Sequence, residues 1–396
     1  MSIGAKYPLK KIREGKAELL IPDPKAYIRS NGTYEPAWAP VFYNPRMVFS
    51  RDMTVLFLRY LANKGIGISL ALDSLSGTGV RGIRFLLEPG NVEKVILNDI
   101  DPDAYELINE NIRLNDLQER AESYCMDANT LHYYLPEVGL RAEFVDIDPF
   151  GSPIPFIDSA IWVARNKSYI AITATDTAAL TGTHINACLR KYHARPLRLD
   201  CDKEMGLRIL IASIILRGAS KDIALKPVIA YYADYYYRIV FQVIKGARKA
   251  DKLIENIGYI EYNTFNLDRR LIGGYPLPTN ITNERVYAGP LWINNIGDPH
   301  VVKDLLKSLE SMPWLQTTDR IKKLLEILSC EYMVNTPYYR LDKLCSKLHK
   351  SMPKLNDLLT CLRDKGYIAC RSHFDPRGIS TNAPLDEIVK CINSLV

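Results

Sequence analysis

Two stretches of this 396-residue chain carry the residue types that group-transfer chemistry needs. The first is Asp146-Ile147-Asp148-Pro149-Phe150-Gly151, a carboxylate followed by a rigid proline and an aromatic ring. An exocyclic aromatic amine is a poor nucleophile because its lone pair is delocalised into the ring. A carboxylate that accepts its N–H orients that lone pair and draws off charge as a methyl group arrives. Pro149 fixes the carboxylate and a neighbouring carbonyl beside the amine. Phe150 offers a stacking face for a base extruded from its helix. The plainer reading is an acidic turn after a buried strand, with Phe150 in the core.

The second stretch is Asp73-Ser-Leu-Ser76-Gly77-Thr78-Gly79-Val-Arg81-Gly82. Gly77, Gly79 and Gly82 fit G-x-G-x-x-G, the loop that lets backbone approach a dinucleotide or nucleoside without a Cβ in the way. Asp99 closes the next strand, where a carboxylate binds ribose hydroxyls. Both nicotinamide cofactors and S-adenosylmethionine present such a ribose, so the loop alone leaves the two open. Asp148-Pro149-Phe150 favours S-adenosylmethionine, because a dehydrogenase has no use for that string. Asp127-Ala128 follows the third strand, where an adenine amine is held. Thr173-Ala-Thr-Asp176 follows the fifth and lines the same crevice.

These residues need a scaffold, and the chain supplies alternating strand and helix patterns. Helical spacing marks residues 51–63. Strands are expected at 69–73, 94–98, 121–125, 142–147 and 168–174. Helices follow at about 80–87, at 102–115 with Pro102 at its first turn, and at 207–218. Residues 228–244 read as two more strands. This order predicts an α/β fold, a doubly wound and mostly parallel Rossmann-like sheet. The Pro- and aromatic-rich first fifty residues read as an extended, irregular arm with one hairpin. After about residue 247 the pattern changes. Short strand-like pieces at 258–277 and 285–293 precede helices at 320–328, 342–350 and 354–365 and a strand at 367–371. That is the order of an α+β, winged-helix-like unit, so the chain divides into 1–247 and 248–396.

Apolar residues at 47% and charged residues at 24% exclude wholesale disorder. No apolar run reaches the roughly 18–20 residues of a membrane span, and the first sixteen residues lack the apolar centre of a secretory signal. The eight cysteines are scattered with no Cys-x-x-Cys pair, which excludes a zinc ribbon and a thioredoxin-type motif. In a cytosolic chain most of them are expected to be reduced, with the disulfides of hyperthermophile proteins the known exception.

Taken together, Phe42-Tyr-Asn-Pro-Arg-Met, Arg51-Asp52, the Asp73–Gly82 loop, Asn98-Asp99, Asp127-Ala128, Asp146-Ile-Asp-Pro-Phe-Gly-Ser-Pro153 and Thr173-Ala-Thr-Asp-Thr-Ala-Ala-Leu180 resemble the tRNA guanine-26 N2-dimethyltransferase family. Ala230-Tyr-Tyr-Ala-Asp-Tyr-Tyr-Tyr-Arg238, Gly289-Pro-Leu-Trp292, Gly366-Tyr and Thr381-Asn-Ala-Pro extend the resemblance over nearly the whole chain. It implies a class I methyltransferase that moves one or two methyl groups from S-adenosylmethionine to N2 of guanine 26, with a C-terminal tRNA-binding domain. By motif position, Asp148 would be the amine-binding carboxylate, with Phe42 and Phe150 on the two faces of the guanine. Arg51 and Arg81 would hold the methionine part of the cofactor. Ser76, Gly77, Thr78 and Gly79 would form the loop against it, Asp99 would take the ribose, and Asp127 with Ala128 the adenine edge. An NAD-dependent oxidoreductase and a non-catalytic tRNA-binding protein are the competing readings. The first shares only the loop, and the second would not need Asp148.

In one respect the chain departs from the family pattern. Many members carry a cysteine cluster before Gly-Pro-Leu-Trp, but residues 258–288 contain no cysteine and no histidine. A tetrahedral zinc site needs four such ligands, so no structural metal is expected. His184 and His193 receive no role. The tyrosines of 231–237 are divided between core and RNA contact. Arg340, Lys343, Lys347, Lys350 and Lys354 form a basic face suited to phosphates. The net charge of +6 is uneven. Residues 1–51 carry nine Lys and Arg against four acids, and 320–377 carry twelve against six, whereas 52–319 carry 29 against 33. Basic segments thus flank a mildly acidic centre, as an RNA-binding enzyme of the cytoplasm would need.

Overall fold

A computed structural model describes residues 6–274 and 285–396. The chain forms two compact units: Met1–Pro149 with Asp158–Ile172 and Asp304–Lys322, and Phe150–Ile157 with Thr173–Lys303 and Lys323–Val396.

The first unit opens with a hairpin, β1 (Leu9–Glu14) and β2 (Ala17–Pro22). The hairpin expected in the N-terminal arm is present, and it is packed against the unit rather than extended. Ala17, Leu19 and Ile21 alternate into the core, and Asn111 both accepts from the Leu20 N–H at 2.7 Å and donates to the Leu20 carbonyl at 3.0 Å. Such period-2 alternation marks a half-buried strand. Three proline-initiated 3-10 turns then lead to α1 (Val48–Asn63).

The alternating part follows as β3 (Ile68–Asp73), α2 (Val80–Leu87), β4 (Val92–Asp99), α3 (Pro102–Leu114), β5 (Ala121–Cys125), α4 (Ala128–Glu137), β6 (Ala142–Ile147), α5 (Ile154–Val163) and β7 (Ala164–Ala174). After α6 (Thr177–Leu180), α7 (Ile185–Tyr192) and the buried α8 (Asp202–Ala219) come the antiparallel β8 (Ile223–Ala233) and β9 (Tyr236–Lys245). The seven-stranded sheet has the order β5-β4-β3-β6-β7-β9-β8. β3 pairs in parallel with β4 and with β6. The chain runs outward from β3 to β5 and then returns to β6, so its direction of travel reverses between β3 and β6. The crevice beyond the carboxyl ends of two such strands is where open α/β sheets bind ligands. Asp73 ends β3, and Asp148 lies just past the end of β6.

Beyond the sheet, α9 (Ala247–Ile254) precedes β10 (Ile257–Asn263), β11 (Arg269–Gly273) and β12 (Arg285–Trp292), a small sheet of order β11-β10-β12. Then come α10 (Pro299–Leu309), α11 (Thr318–Glu331), β13 (Tyr339–Arg340), α12 (Leu341–Lys347), α13 (Leu355–Asp364), β14 (Ala369–Arg371), β15 (Gly378–Thr381) and α14 (Leu385–Leu395). The three expected helices and their strand pair are present, with β13 added to the sheet and α14 closing a core that includes Leu344, Leu358, Leu362, Ile379 and Ile392. The C-terminal part is therefore α+β. Residues 275–277 of the strand-like stretch expected at 258–277 lie outside the described residues.

The expectation that most cysteines are reduced is corrected. Cys330 is bonded to Cys370 and Cys361 to Cys391, leaving Cys125, Cys188, Cys201 and Cys345 free. The partners lie 40 and 30 residues apart. α11 meets β14, and α13 meets α14, only when the small core assembles, so linear spacing carried no sign of the pairs. Among the described residues no helix is long and apolar enough to cross a membrane, and no group of three His, Cys, Asp or Glu is arranged to hold a metal ion.

Candidate functional site

The glycine loop is shaped by what lies against it. The Ser76 N–H bonds the Asn98 carbonyl at 2.8 Å, and the Gly77 N–H bonds the Asp99 carboxylate at 2.8 Å. Gly77 sits at φ +54°, and a Cβ there would come 2.8 Å from the carbonyl oxygen of Phe42. The third glycine acts differently: a Cβ on Gly82 would meet Leu97 at 2.8 Å, so its absence lets α2 lie on β4. The hydroxyl of Thr78 is buried and has no hydrogen-bond partner among the described residues. A buried polar atom left in this state is uncommon in a protein without a ligand. It fits a loop built to receive a polar small molecule.

Around the loop the strand tips are tied together. Asn98 donates to the carbonyls of Ser74 and Met126 at 3.1 and 3.0 Å and accepts from the Met126 N–H. Asp99 takes the Gly77 N–H on one oxygen and the Asp101 N–H on the other, and burial raises its pKa. Asp127 caps α4 by accepting from the Thr130 N–H at 3.0 Å, and Ala128 behind it is buried. Asp127 is exposed at the helix N-terminus.

Asp148 is bound to Arg81. The guanidinium Nε donates to Asp148 Oδ2 at 3.0 Å, and Nη2 donates to the same oxygen. Arg81 is 5% exposed and is held from the other side by the Ser50 and Thr54 hydroxyls at 3.1 and 3.4 Å. Burial disfavours its charge, but Asp148, Asp146 and Asp73 outweigh that and raise its pKa. Asp73, fully buried and one strand away from its register partner Asp146, is pushed up to about 7 by burial first and by Asp146 second. Ser50, Thr54, Asp73 and Asp146 are site residues for which sequence reasoning assigned no role. A signal for two of them was present: Asp146 and Asp148 are two apart, a spacing that shares a strand face, and Asp73 opens the glycine motif.

Arg51 lies elsewhere. Its Nε and Nη2 each donate to Glu14 at 2.6 Å, and Nη2 also reaches the Asn44 carbonyl at 3.2 Å. Tyr43 donates to the same Glu14 at 2.8 Å. This buried cluster anchors the segment that carries Phe42. The remaining guanidinium nitrogen of Arg51, Nη1, makes no hydrogen bond among the described residues.

Behind the loop, His132 is buried between the hydroxyls of Ser74 at 2.7 Å and Ser159 at 2.9 Å, and burial lowers its pKa to about 4. An unfolded histidine titrates near 6.5. Between those values the unfolded chain therefore binds more protons. The His132 contribution to stability is complete above about pH 6.5 and is lost as the pH falls toward 4. Asp73 slopes the other way over the same range, because its native pKa is raised. The contribution is isolated by comparing denaturant melts of the protein and of His132→Gln at pH 7.5 and pH 5. The stability gap narrows at pH 5; a gap independent of pH would mean that His132 is charged in the native state.

In the second unit Phe150 is 73% exposed, not a core aromatic. Tyr231, Tyr236 and Tyr237 are buried, while Tyr235 is 37% exposed. His184 precedes α7 and His193 ends it in the left-handed region at φ +53°.

Residues 15–393 match the family described as TRM: N2,N2-dimethylguanosine tRNA methyltransferase. The chain belongs to this family. It is 42% identical over 385 residues to the tRNA (guanine(26)-N(2))-dimethyltransferase of Sulfurisphaera tokodaii, covering 96% of this chain and 98% of that protein. The enzyme of the same name from Sulfolobus acidocaldarius is 39% identical, with 98% of each chain covered. Trm1 from Pyrococcus horikoshii, solved in complex with S-adenosyl-L-methionine, superposes with a TM-score of 0.85 at 36% identity, covering 97% of this chain and all of that one. A member of the N2,N2-dimethylguanosine tRNA methyltransferase family thus carries the Gly77 loop and Asp148 at neighbouring strand ends of its sheet, β3 and β6.

Proposed function

We propose that this protein transfers methyl groups from S-adenosylmethionine to the exocyclic N2 of guanine 26 in tRNA, giving N2,N2-dimethylguanosine. The observation that carries this reading is the end-to-end correspondence with guanine-26 dimethyltransferases, which leaves almost none of either chain unmatched. It is tested by incubating an unmodified tRNA transcript with labelled cofactor and mapping the product by nucleoside mass spectrometry. Label on N2 of guanine 26 is expected; label confined to another nucleoside would overturn the assignment.

When bound, S-adenosylmethionine supplies an electrophilic methyl group on a sulfonium centre. The Thr78 hydroxyl, buried and without a hydrogen-bond partner among the described residues, fits such a ligand better than a loop whose groups are all paired. Asp99 takes the ribose, Asp127 and Ala128 the adenine edge, and Ser76 and Gly79 hold the loop. Arg51 and Arg81 would hold the methionine part. Asp148 accepts the N2–H of guanine, keeping the lone pair directed at the methyl group and drawing off the proton as charge develops. Arg81 holds Oδ2 of that carboxylate and so fixes its position at the end of β6. Phe42 and Phe150 stack on the guanine, offsetting the cost of unstacking it from the tRNA. For an enzyme acting on tRNA the working compartment is the cytoplasm.

Gly77→Ala places a side chain at a backbone angle that costs about 1 kcal/mol for an L-residue, against the carbonyl of Phe42. At least a tenfold loss of S-adenosylhomocysteine affinity by calorimetry is the expected result, with the fold retained. Unchanged affinity would put the ligand elsewhere.

Residues 248–396 form the tRNA-binding part in this reading. Lys343, Lys347, Lys350 and Lys354 are exposed and form no ion pair among the described residues. Each phosphate they neutralise adds about one to the slope of log affinity against log salt. Replacing the four by glutamine therefore weakens tRNA binding at low salt and makes the slope shallower, measured by filter binding from 50 to 300 mM salt (roughly the range over which such contacts are screened). A slope identical to that of the unaltered protein would remove these lysines from the interface.

A further inference from the structure

Phe150 is exposed, and the backbone that carries its ring continues into a short loop. The loop that follows it is fastened at two points. Gly151, at φ +77°, donates its N–H to the Thr175 hydroxyl at 2.7 Å, and Thr175 returns its own N–H to the Gly151 carbonyl at 2.9 Å. One residue on, the buried Ser152 donates its hydroxyl to Tyr192 Oη at 2.8 Å. Tyr192 in turn donates to Asp176 Oδ1 at 2.6 Å, and Lys191 holds Oδ2 at 3.1 Å. Burial first, and Asp176 second, raise the Tyr192 pKa, so the phenol keeps its proton and the chain of hydroxyls runs in one direction, ending on the carboxylate.

This accounts for a motif that the reaction leaves unused. Thr173-Ala-Thr-Asp176 reads in sequence as one more carboxylate lining the crevice. In the folded chain both oxygens of Asp176 are taken by Tyr192 and Lys191, and Thr175 is spent on Gly151. Neither Tyr192, 2% exposed, nor Thr175 presents chemistry of its own to a substrate. What they share is the two-residue loop directly after Phe150. A hydrogen bond to an ionised acceptor is both stronger and more directional than a neutral one, and a stacking ring held rigid loses less entropy when a base arrives.

We infer that Thr175 and Tyr192 are positioning residues for the target base: through Gly151 and Ser152 they hold the Phe150 ring at the angle from which it stacks on the guanine. The inference rests on the proposed role of Phe150 and extends it to side chains that never touch the substrate.

The test uses Thr175→Val, Thr175→Ser and Tyr192→Phe, each alone and combined with Phe150→Leu. Methyl transfer, tRNA affinity, S-adenosylhomocysteine affinity and thermal midpoint are measured on the full chain. Thr175→Val and Tyr192→Phe each lower kcat/KM for tRNA about tenfold, the size of one lost buried hydrogen bond. Thr175→Ser, which keeps the hydroxyl, stays within about twofold. Cofactor-product affinity holds, and the thermal midpoint falls by only a few degrees, the cost of one buried hydrogen bond. In the Phe150→Leu background the same substitutions add no further loss to transfer or to tRNA affinity, because the ring they position is gone. Undiminished losses in that background, or wild-type kcat/KM in both single variants, overturn the inference while leaving the activity in place. If the unaltered protein puts no methyl group on guanine 26, the functional reading fails and this inference falls with it.

Discussion

Asp148→Asn lowers the rate of methyl transfer by about a thousandfold, while tRNA and S-adenosylhomocysteine bind as before. Asparagine keeps the size of the side chain, and its carbonyl still accepts from Arg81, so the geometry at the end of β6 survives. What disappears is the negative charge that orients the amine and takes up positive charge as the bond forms. The buried Arg81 remains compensated by Asp146 at 4.0 Å and by Asp73, so no unpaired cation is created. Single-turnover transfer with saturating cofactor separates this loss from binding. A variant that retained the full rate would remove Asp148 from the chemistry and leave its pairing with Arg81 as a structural feature.

Arg84→Met costs about 3–5 kcal/mol of stability, the usual consequence of stripping the partner from buried charges. Arg84 is fully buried and serves three carboxylates. It donates to Glu88 at 2.6 and 3.0 Å, to Glu14 at 2.8 Å and to Asp52 at 2.7 Å. Those acids carry other contacts: Asp52 accepts from Thr317, Glu88 accepts from the Trp314 indole, and Glu14 accepts from Arg51 and Tyr43. One guanidinium therefore joins the N-terminal hairpin, α1, α2 and the segment around Trp314.

The loss also depends on pH. Burial opposes the Glu14 charge, but Arg51 and Arg84 overcome it and hold its pKa down at about 2, against an unfolded value near 4.5. That depression contributes stability above pH 4.5 and loses it as the pH falls toward 2. Without Arg84 the depression shrinks, so the deficit of the variant is largest near neutrality and narrows below pH 4.5. Urea melts followed by tryptophan fluorescence at pH 7 and pH 4 measure both quantities. A loss under about 1 kcal/mol, or one that does not change with pH, would mean that solvent reaches the cluster.

Much of this protein was legible in its residue order. The alternation of strands and helices, the glycine loop, the proline-started α3 and the Asp-Pro-Phe turn depend on neighbours a few residues apart. Periodicity, turn chemistry and backbone angles act over that range. β5 and β6 fall where their alternation placed them, at residues 121–125 and 142–147. The carboxylates at the tips of β3 to β6 followed from strand ends alone, because a parallel sheet gathers its carboxyl ends on one edge.

The partners of those residues were not legible. Arg81 and Asp148 are 67 positions apart, Arg51 and Glu14 are 37, and Arg84 and Glu14 are 70. The role of a charged side chain depends on which charge it meets, and that follows from strand order and from how the hairpin packs. Arg51 and Arg81 look alike in the sequence; one is anchored in a buried cluster beside Phe42, and the other holds the oxygen of Asp148. Asp176 looked like one more acid of the crevice until the fold brought Tyr192 to it. The two disulfides follow the same rule, since each joins elements that touch only in the assembled core. Local order wrote the sheet, the loop and the reacting carboxylate into the chain. Long-range packing chose which groups are left to meet the cofactor and the base, because charges and hydroxyls pair with whatever the completed fold sets against them.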